Sequence, residues 1–341
     1  MTLQDRIEIL SEIGTELSQL IENRDLYDFP GYEKINLENS WFTEEFVKNS
    51  FNHYAYLLTE NKLTDWTKNY DFSKDLSKKT LGIIMAGNIP LVGLHDFICA
   101  YLSGISTIIK PSSKDSVLIK WIINRILKKH KEKNYLIKIA DGSISRVDAI
   151  IATGNNNSNR YFEYYFSSIP SILRKNRNSI GILSGNETEE ELSKLTDDIF
   201  LYFGLGCRSV SLIYIPEDYD FNPLFKAFEK YKHLIYHHKY ANNLEYQYAV
   251  NIVSRIPVLN PGNIILIEND KINSPVGVLH YKFYKFAEDI YKEINKNIED
   301  IQCVSTSKLS KSFEVEFGRT QYPELNEYAD NIDTLKFILT L

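Results

Sequence analysis

Residues 80–113 carry the sequence TLGIIMAGNIPLVGLHDFICAYLSGISTIIKPSS. An apolar run over Leu81–Ala86 predicts a buried strand, which the turn Gly87-Asn88-Ile89-Pro90 ends. The pattern then predicts a helix over Leu91–Leu102 and a second strand over Ser106–Lys110. A strand, a helix and a strand in this order predict a right-handed crossover in a parallel sheet.

Strands and helices keep alternating after this unit. Gly104 is expected to end its helix, because glycine readily adopts the left-handed conformation common after helix C-termini. Thr188, with Glu191 three residues later, predicts a capping box at a helix start. The other predicted elements are helices over 3–22, 43–60, Asp115–Lys129, Arg160–Phe166, 222–231 and 283–298, and strands over Val147–Ala152, Ser179–Leu183, Val210–Ile215, Ile264–Ile267, Gly277–Tyr281 and Gln302–Ser305. This alternation predicts an α/β fold with mostly parallel sheets.

Length and charge limit the class of protein. The 341 residues predict two domains, with a boundary near 184–187. The net charge of −6 argues against binding of nucleic acid through bulk positive charge. Neither a membrane span nor a signal peptide is expected, because the apolar stretches are too short and no basic n-region precedes an apolar core. Three dispersed cysteines favour a reducing cytoplasm.

Common site motifs are missing. The sequence has no P-loop, HExxH, CxxC or GxSxG pattern. Gly204-Leu205-Gly206 does not continue into a dinucleotide fingerprint, because Ser209 takes the place of the third glycine and a strand follows. His233 and His237 are four residues apart, but no acidic ligand is close in sequence. We therefore expect no metal site.

Six short segments carry a resemblance to a known superfamily. The Gly87–Pro90 turn and the Lys110-Pro111-Ser112-Ser113 turn resemble the opening of the aldehyde dehydrogenase nucleotide domain. Ala152-Thr153-Gly154 resembles its phosphate-loop element, and Gly206-Cys207-Arg208 its nucleophile segment. Phe317-Gly318-Arg319 with Tyr328-Ala329-Asp330 resembles its C-terminal bridging segment.

A narrower resemblance is to the LuxC-type long-chain acyl-CoA reductases. The order and spacing of Ala86–Pro90, Ile109–Ser113 and Tyr202–Arg208 carry it over residues 80–341. It implies two Rossmann-like parallel-sheet domains with a helical N-terminal extension and a short bridging tail. The implied segments are a helical segment (1–79), a nucleotide-binding domain (80–185), a catalytic domain with the nucleophile (186–316) and the tail (317–341).

The same resemblance implies reduction of an acyl-CoA, or of another acyl thioester, to an aldehyde by NADPH. Cys207 would be the nucleophile that forms an acyl-enzyme, although a lone cysteine is often a buried and inert one. Asn88 would donate to the oxyanion that forms on the substrate. Alternatively, it is a structural asparagine in a turn before proline. Cys99 and Cys303 are expected to be core residues.

The nucleotide site is implied at two turns. Lys110, Pro111, Ser112 and Ser113 would contact the adenosine ribose, and the absence of a glutamate at Ser113, with Lys114 beside it, favours the 2′-phosphate of NADPH. Thr153, Gly154 and Asn155 would present N–H groups to the pyrophosphate. Alternatively, Lys110 and Lys114 are ordinary surface lysines that do not bind a nucleotide.

A general base is missing where aldehyde dehydrogenases that release an acid carry one. The stretch Arg174–Gly181 contains no carboxylate, which favours reduction of the acyl-enzyme over its hydrolysis. A basic cluster either forms a solvated face or contacts a phosphate; its members are Arg174, Lys175 and Arg177. Two histidines, His237 and His238, either belong to a surface loop or act as proton donors. The alternatives are a hydrolytic aldehyde or semialdehyde dehydrogenase and a non-catalytic partner subunit. An acyl-transfer partner protein also fits the reductase, and a homo-oligomer is a further expectation.

Overall fold

The computed structural model describes residues 1–22, 31–130, 137–154 and 156–341. The elements up to residue 174 are α1 (Leu3–Glu22), α2 (Tyr32–Glu38), α3 (Glu44–Leu57), α4 (Glu60–Thr67), β1 (Thr80–Ile84), α5 (Leu94–Ser103), β2 (Ser106–Lys110), α6 (Ser116–Lys129), β3 (Ile137–Ile139), β4 (Ala149–Thr153), α7 (Asn156–Tyr165) and β5 (Ser171–Arg174). The later elements are β6 (Asn178–Ile182), α8 (Glu189–Phe200), β7 (Val210–Pro216), α9 (Asn222–Phe228), α10 (His238–Val253), β8 (Ile265–Glu268), β9 (Val278–Tyr284), α11 (Ala287–Lys296), β10 (Ile301–Thr306), β11 (Glu314–Glu316) and α12 (Thr334–Leu339).

The first of two compact units comprises residues 1–176 and 324–341. Its sheet has the order β3-β2-β1-β4-β5, and every neighbouring pair is parallel. Apolar residues of α1, α3, α5, α6 and α12 join the sheet in one core cluster. The N-terminal helices and the C-terminal helix therefore share the core of this unit.

The second unit comprises residues 177–323. Its sheet has the order β11-β10-β6-β7-β9-β8 and is also parallel throughout. Ile180, Leu212 and Val304, on three adjacent strands, pack with α11 residues Ile290 and Ile294. The predicted α/β class, with two parallel sheets, is confirmed.

Local sequence signals account for two element ends. The side chain of Thr188 accepts from the backbone of Glu191, whose carboxylate in turn binds the backbone of Thr188, so the predicted capping box starts α8. Gly104 has a φ of 77° and ends α5, as expected. A Cβ there would lie 2.5 Å from the Arg6 guanidinium, at the end of a flexible side chain that would have to move.

The units differ from the expected segments. The strand predicted over Ser179–Leu183 is β6, which pairs with β7 and β10, so the second unit begins at Arg177 rather than near 184–187. The tail ends in the first unit, where Leu335 and Ile338 are fully buried. The sequence pattern also did not predict the strands β3, β5 and β11 or the helices α2, α4, α10 and α12.

Candidate active site

Three turns with predicted site residues lie side by side in the first unit. Lys110, at the end of β2, is paired in register with Ile84 of β1, which is paired with Ala152 of β4. Because the strands are parallel, the turns carrying Asn88, Lys110–Ser113 and Thr153-Gly154 follow the same edge of the sheet. This edge is where open α/β sheets bind ligands. Asn155 lies outside the described residues.

The turn after β2 combines exposed cations with close packing. Lys110, Ser113 and Lys114 are exposed, and the Ser112 hydroxyl accepts from the Lys114 N–H at 3.3 Å. A Cβ on Gly87 would lie 2.6 Å from Ser112 Oγ, so only glycine lets the two neighbouring turns approach this closely. Two exposed lysines and a serine hydroxyl suit a phosphate group, and the carboxylate that follows them, Asp115, is buried.

The turn after β4 leads directly to a helix N-terminus. A Cβ on Gly154 would lie 2.9 Å from Ser158 Cβ and from the Phe162 ring, so glycine lets α7 begin against this turn. The Gly154 N–H donates to the carbonyl of Arg174 at 3.3 Å. The first turn of an α-helix has N–H groups without helical partners and suits a pyrophosphate. The residues of both turns therefore fit a dinucleotide.

The expected basic cluster 174–177 has separate partners. Arg174 is buried, forms an ion pair with Asp96 and donates to the Thr334 hydroxyl at 2.8 Å. The idea that Arg174 lies on a solvated face or contacts a phosphate is therefore wrong. Lys175 forms a surface ion pair with Glu163 at 3.2 Å.

The segment before Cys207 has an unusual backbone. Tyr202 and Phe203 both have a φ of 56°, and Gly204 follows with a φ of 71°. A run of left-handed residues that includes two buried aromatics is strained, and such strain persists only where neighbours hold it. Strain of this kind clusters at functional sites.

Hydrogen bonds from neighbouring segments hold the Cys207 turn in place. The Ser179 hydroxyl donates to the Cys207 carbonyl at 3.2 Å. The Gly206 N–H donates to the Ser209 hydroxyl, which also accepts from the side-chain amide of Gln321, each at 3.2 Å. The turn is thus tied to β6 and to the segment after β11.

The exposure of the thiols separates Cys207 from the other two cysteines, all of which the structure describes. Cys99 and Cys303 are buried, whereas Cys207 is half-buried. Burial raises the pKa of Cys99 well above its usual value and that of Cys303 to about 11. The Cys303 thiol also lies 3.1 Å from the Ser179 hydroxyl. Partial exposure is a requirement for a reactive cysteine, and Cys207 meets it.

Histidine 237 supports the strained segment. Its ring packs on that of Phe203, with centroids 4.5 Å apart, and its Nδ1 accepts from the Tyr240 N–H at 3.4 Å as the N-cap of α10. His233 lies in the preceding 3-10 helix, so the two histidines do not share one helix face. Within the described ranges, no group of three or more His, Cys, Asp or Glu side chains could hold a metal ion.

Sequence reasoning missed Asp198. Its buried carboxylate accepts from the hydroxyls of Ser305 and Thr320 and from the N–H groups of Gly318 and Thr320, at 2.6–3.0 Å. Burial raises the pKa of Asp198 to about 6, and these four donors act in the opposite direction. Asp198 therefore anchors the segment that carries Gln321. Its only sequence signal is an acidic residue on the apolar face of α8.

Comparison with known proteins gives a related sequence and related folds. No family model matches the chain. Over 269 residues the chain is 25% identical to long-chain acyl-protein thioester reductase 2 from Photobacterium leiognathi. The aligned region is 69% of this chain and 55% of that protein. The chain thus spans about half the length of this curated relative.

Solved structures of aldehyde dehydrogenases share the fold. Aldehyde dehydrogenase 21 from Physcomitrella patens, determined with succinate, matches all of this chain and 84% of its own, with a TM-score of 0.69 and 12% identity. The NAD+ complex of a Mycobacterium tuberculosis aldehyde dehydrogenase matches 90% of this chain and 73% of its own, with a TM-score of 0.60 and 14% identity. In the described part of the chain, no helix is long and apolar enough to cross a membrane.

Proposed function

We propose that this chain, which has the aldehyde dehydrogenase fold and a LuxC-type sequence resemblance, reduces an acyl thioester to an aldehyde with NADPH. The observation that carries the proposal is the half-buried Cys207, on a hydrogen-bonded turn that follows the strained segment Tyr202–Gly204. The name of the curated relative supports an acyl thioester as substrate. Acyl-CoA and an acyl group on a partner protein are both thioesters, and either donor fits the proposal.

Cys207 would act as the nucleophile. Its thiolate attacks the carbonyl carbon of the thioester, and the donor thiol leaves, which gives an acyl-enzyme. NADPH, when bound, supplies the hydride that reduces this acyl group. The C–S bond to Cys207 then breaks, the aldehyde leaves and the thiolate is restored, so one thioester, one NADPH and one proton give one aldehyde, one thiol and NADP+.

Asn88 would stabilise the charge that develops on the acyl oxygen. Attack on a thioester converts its carbonyl into an oxyanion, and a side-chain amide is a suitable donor to it. Loss of one such donor costs roughly 3–4 kcal/mol of transition-state stabilisation. Asn88 is an exposed residue of a turn whose backbone is otherwise tightly held, which supports this role.

The turns after β2 and β4 would hold the dinucleotide. Lys110, Ser113 and Lys114 suit the ribose and its 2′-phosphate, which favours NADPH over NADH. Thr153 and Gly154, with the first turn of α7, suit the pyrophosphate. Pro111 and Ser112 would shape the turn, because Ser112 packs on Gly87 and accepts from Lys114.

The residues of this chain favour reduction of the acyl-enzyme over its hydrolysis. Hydrolysis needs a base that activates water, and the segment Arg174–Gly181 offers no carboxylate. The side chain of Arg174 is instead committed to Asp96 and Thr334. A reductase benefits from this, because activated water would destroy the acyl-enzyme. The cytoplasmic location and any oligomer remain predictions from sequence.

The test is NADPH oxidation with acyl-CoA donors of two to sixteen carbons, for the wild type and Cys207→Ala. We expect donor-dependent loss of NADPH that the variant lacks, together with a covalent acyl adduct on wild-type Cys207 by mass spectrometry. Acylation followed by release of acid would favour the hydrolytic dehydrogenase. An enzyme that never becomes acylated would favour the non-catalytic partner subunit.

A further inference from the structure

The turn that carries Asn88 contains a strained residue. Leu91 is fully buried and has a φ of 60°, in the left-handed region that a bulky side chain rarely adopts. Asn88 lies three residues before it, so the conformation at Leu91 sets the path of the whole turn. A residue in this conformation stays there only where its surroundings hold it.

Buried side chains hold Leu91 on both sides of its backbone. Its N–H donates to Asp115 Oδ2 at 2.8 Å, and its carbonyl accepts from the Tyr54 hydroxyl at 3.0 Å. The Ser50 hydroxyl donates to the carbonyl of Pro90 at 3.1 Å. None of these three side chains is more than 9% exposed, so water does not compete for the bonds.

The helices before the first strand complete this support. Asn39, which is 5% exposed, donates its side-chain amide to the Gly87 carbonyl at 3.3 Å. Asn39 ends α2, and Ser50 and Tyr54 belong to α3. The turn is therefore fastened at Gly87, Pro90 and Leu91, on either side of Asn88.

Asp115 makes the most unusual of these contacts. It occupies the N-cap position of α6, where aspartate normally accepts from the helix backbone, yet its side chain makes no capping bond. Its Oδ1 is buried and has no hydrogen-bond partner among the described residues. Burial raises the pKa of this carboxyl well above its usual value. Such a group is retained at a cost, which points to a role for its bond to Leu91.

We propose that Asp115 is a positioning residue that, with Tyr54, Ser50 and Asn39, fixes the Asn88 amide for the developing oxyanion. The inference rests on the proposed function, since it needs Asn88 to act on the acyl group. It gives the N-terminal helical segment a part in the reaction. It also joins the Asn88 turn to the nucleotide turn, because Asp115 directly follows Lys114.

A double-mutant cycle with Asn88→Ala tests the inference. We expect Asp115→Ala to lower kcat at least about tenfold, since small misplacement of a catalytic group has effects of this size, while KM for NADPH changes less than about twofold. Asp115→Asn should stay within about threefold of the wild type, because its side-chain carbonyl still accepts from Leu91. In the Asn88→Ala background, Asp115→Ala should change kcat less than about twofold, because its effect passes through Asn88.

The outcomes separate the inference from the proposed function. If the wild type turns over and the effects of Asp115→Ala and Asn88→Ala on kcat are independent, so that they multiply in the double variant, the inference is overturned and the proposed function stands. Equal losses in Asp115→Asn and Asp115→Ala would also overturn the inference. A wild type without acyl-dependent turnover would overturn both. If Asp115→Ala does not fold, Tyr54→Phe, which removes one hydroxyl, replaces it in the same cycle with the same expected non-additivity.

Discussion

The ring of His237 packs on the ring of Phe203 with centroids 4.5 Å apart, and this contact joins the start of α10 to the strained segment before Cys207. His237 therefore has two separable roles, since its ring supports Phe203 while its Nδ1 caps the helix. Two substitutions divide these roles between them.

His237→Asn keeps a good helix cap and removes the ring, whereas His237→Phe keeps a ring and removes the cap. We expect His237→Asn to slow acylation of Cys207 about tenfold with little loss of stability. His237→Phe should acylate within about threefold of wild type and lose about 1 kcal/mol of unfolding free energy. Single-turnover acylation and urea unfolding measure the two quantities. If acylation of His237→Phe is slower than wild type by more than about threefold, although a ring still supports Phe203, the result would instead indicate proton transfer by the imidazole.

Breaking the buried ion pair of Arg174 and Asp96 on one side should destabilise the first unit. Asp96→Asn leaves the guanidinium buried without its counter-charge, so we expect a loss of about 3–5 kcal/mol in unfolding free energy. The double variant Asp96→Leu, Arg174→Met removes both charges and should recover much of that loss. Urea unfolding followed by circular dichroism gives both values. A double variant less stable than Asp96→Asn would contradict this interpretation.

The preference for NADPH should depend on the missing carboxylate at position 113. Ser113→Glu places a negative charge in the turn that carries Lys110 and Lys114, so we expect the ratio of kcat/KM for NADPH to that for NADH to fall at least about tenfold. Ser113→Gln, of similar size and neutral, is the matched control and should shift this ratio much less. An unchanged ratio in Ser113→Glu would exclude this turn as the site of the 2′-phosphate.

His280 should make stability depend on pH. It is buried in β9, donates Nδ1–H to the Lys271 carbonyl at 2.7 Å, and burial lowers its pKa below the usual 6.5. The unfolded chain therefore binds a proton first as pH falls, so this contribution to stability is complete above about pH 6.5 and declines below it. His280→Gln lacks this titration.

The quantity to measure is the difference in unfolding free energy between wild type and His280→Gln from pH 8 to pH 5. The difference is needed because the raised pKa of Asp198 acts with the opposite sign over the same range. The advantage of the wild type should shrink as pH falls. A constant difference would show that His280 titrates alike in both states.

Elements with a clear apolar period could be predicted from the sequence. β2 has the predicted bounds, and the Thr188–Glu191 capping box starts α8. The helix α10 was not predicted, because only three of its residues, Tyr240, Leu244 and Asn251, are buried. Three buried residues are too few to show a helical period. The short strand β5 escaped because a buried arginine, Arg174, makes it look polar.

Site chemistry was predictable only where a motif carries it. The Asn88, Lys110 and Thr153 turns could be placed at one sheet edge because parallel strands end together. The left-handed conformations at Leu91, Tyr202 and Phe203 could not, since no glycine marks them. The support from residues as distant as Asn39 depends on tertiary packing, which local patterns do not encode.

The chain leaves the first unit after Asn176 and re-enters it at Glu324, so the second unit is an insertion within the first. A ribosome makes the N-terminal part first, and domains generally fold as units. Trp66, whose indole donates to the Tyr328 hydroxyl at 3.0 Å, must therefore wait for its partner until the inserted residues have been synthesised. During translation the second unit can become native before the first is finished, and the core around α5 closes only when α12 leaves the ribosome.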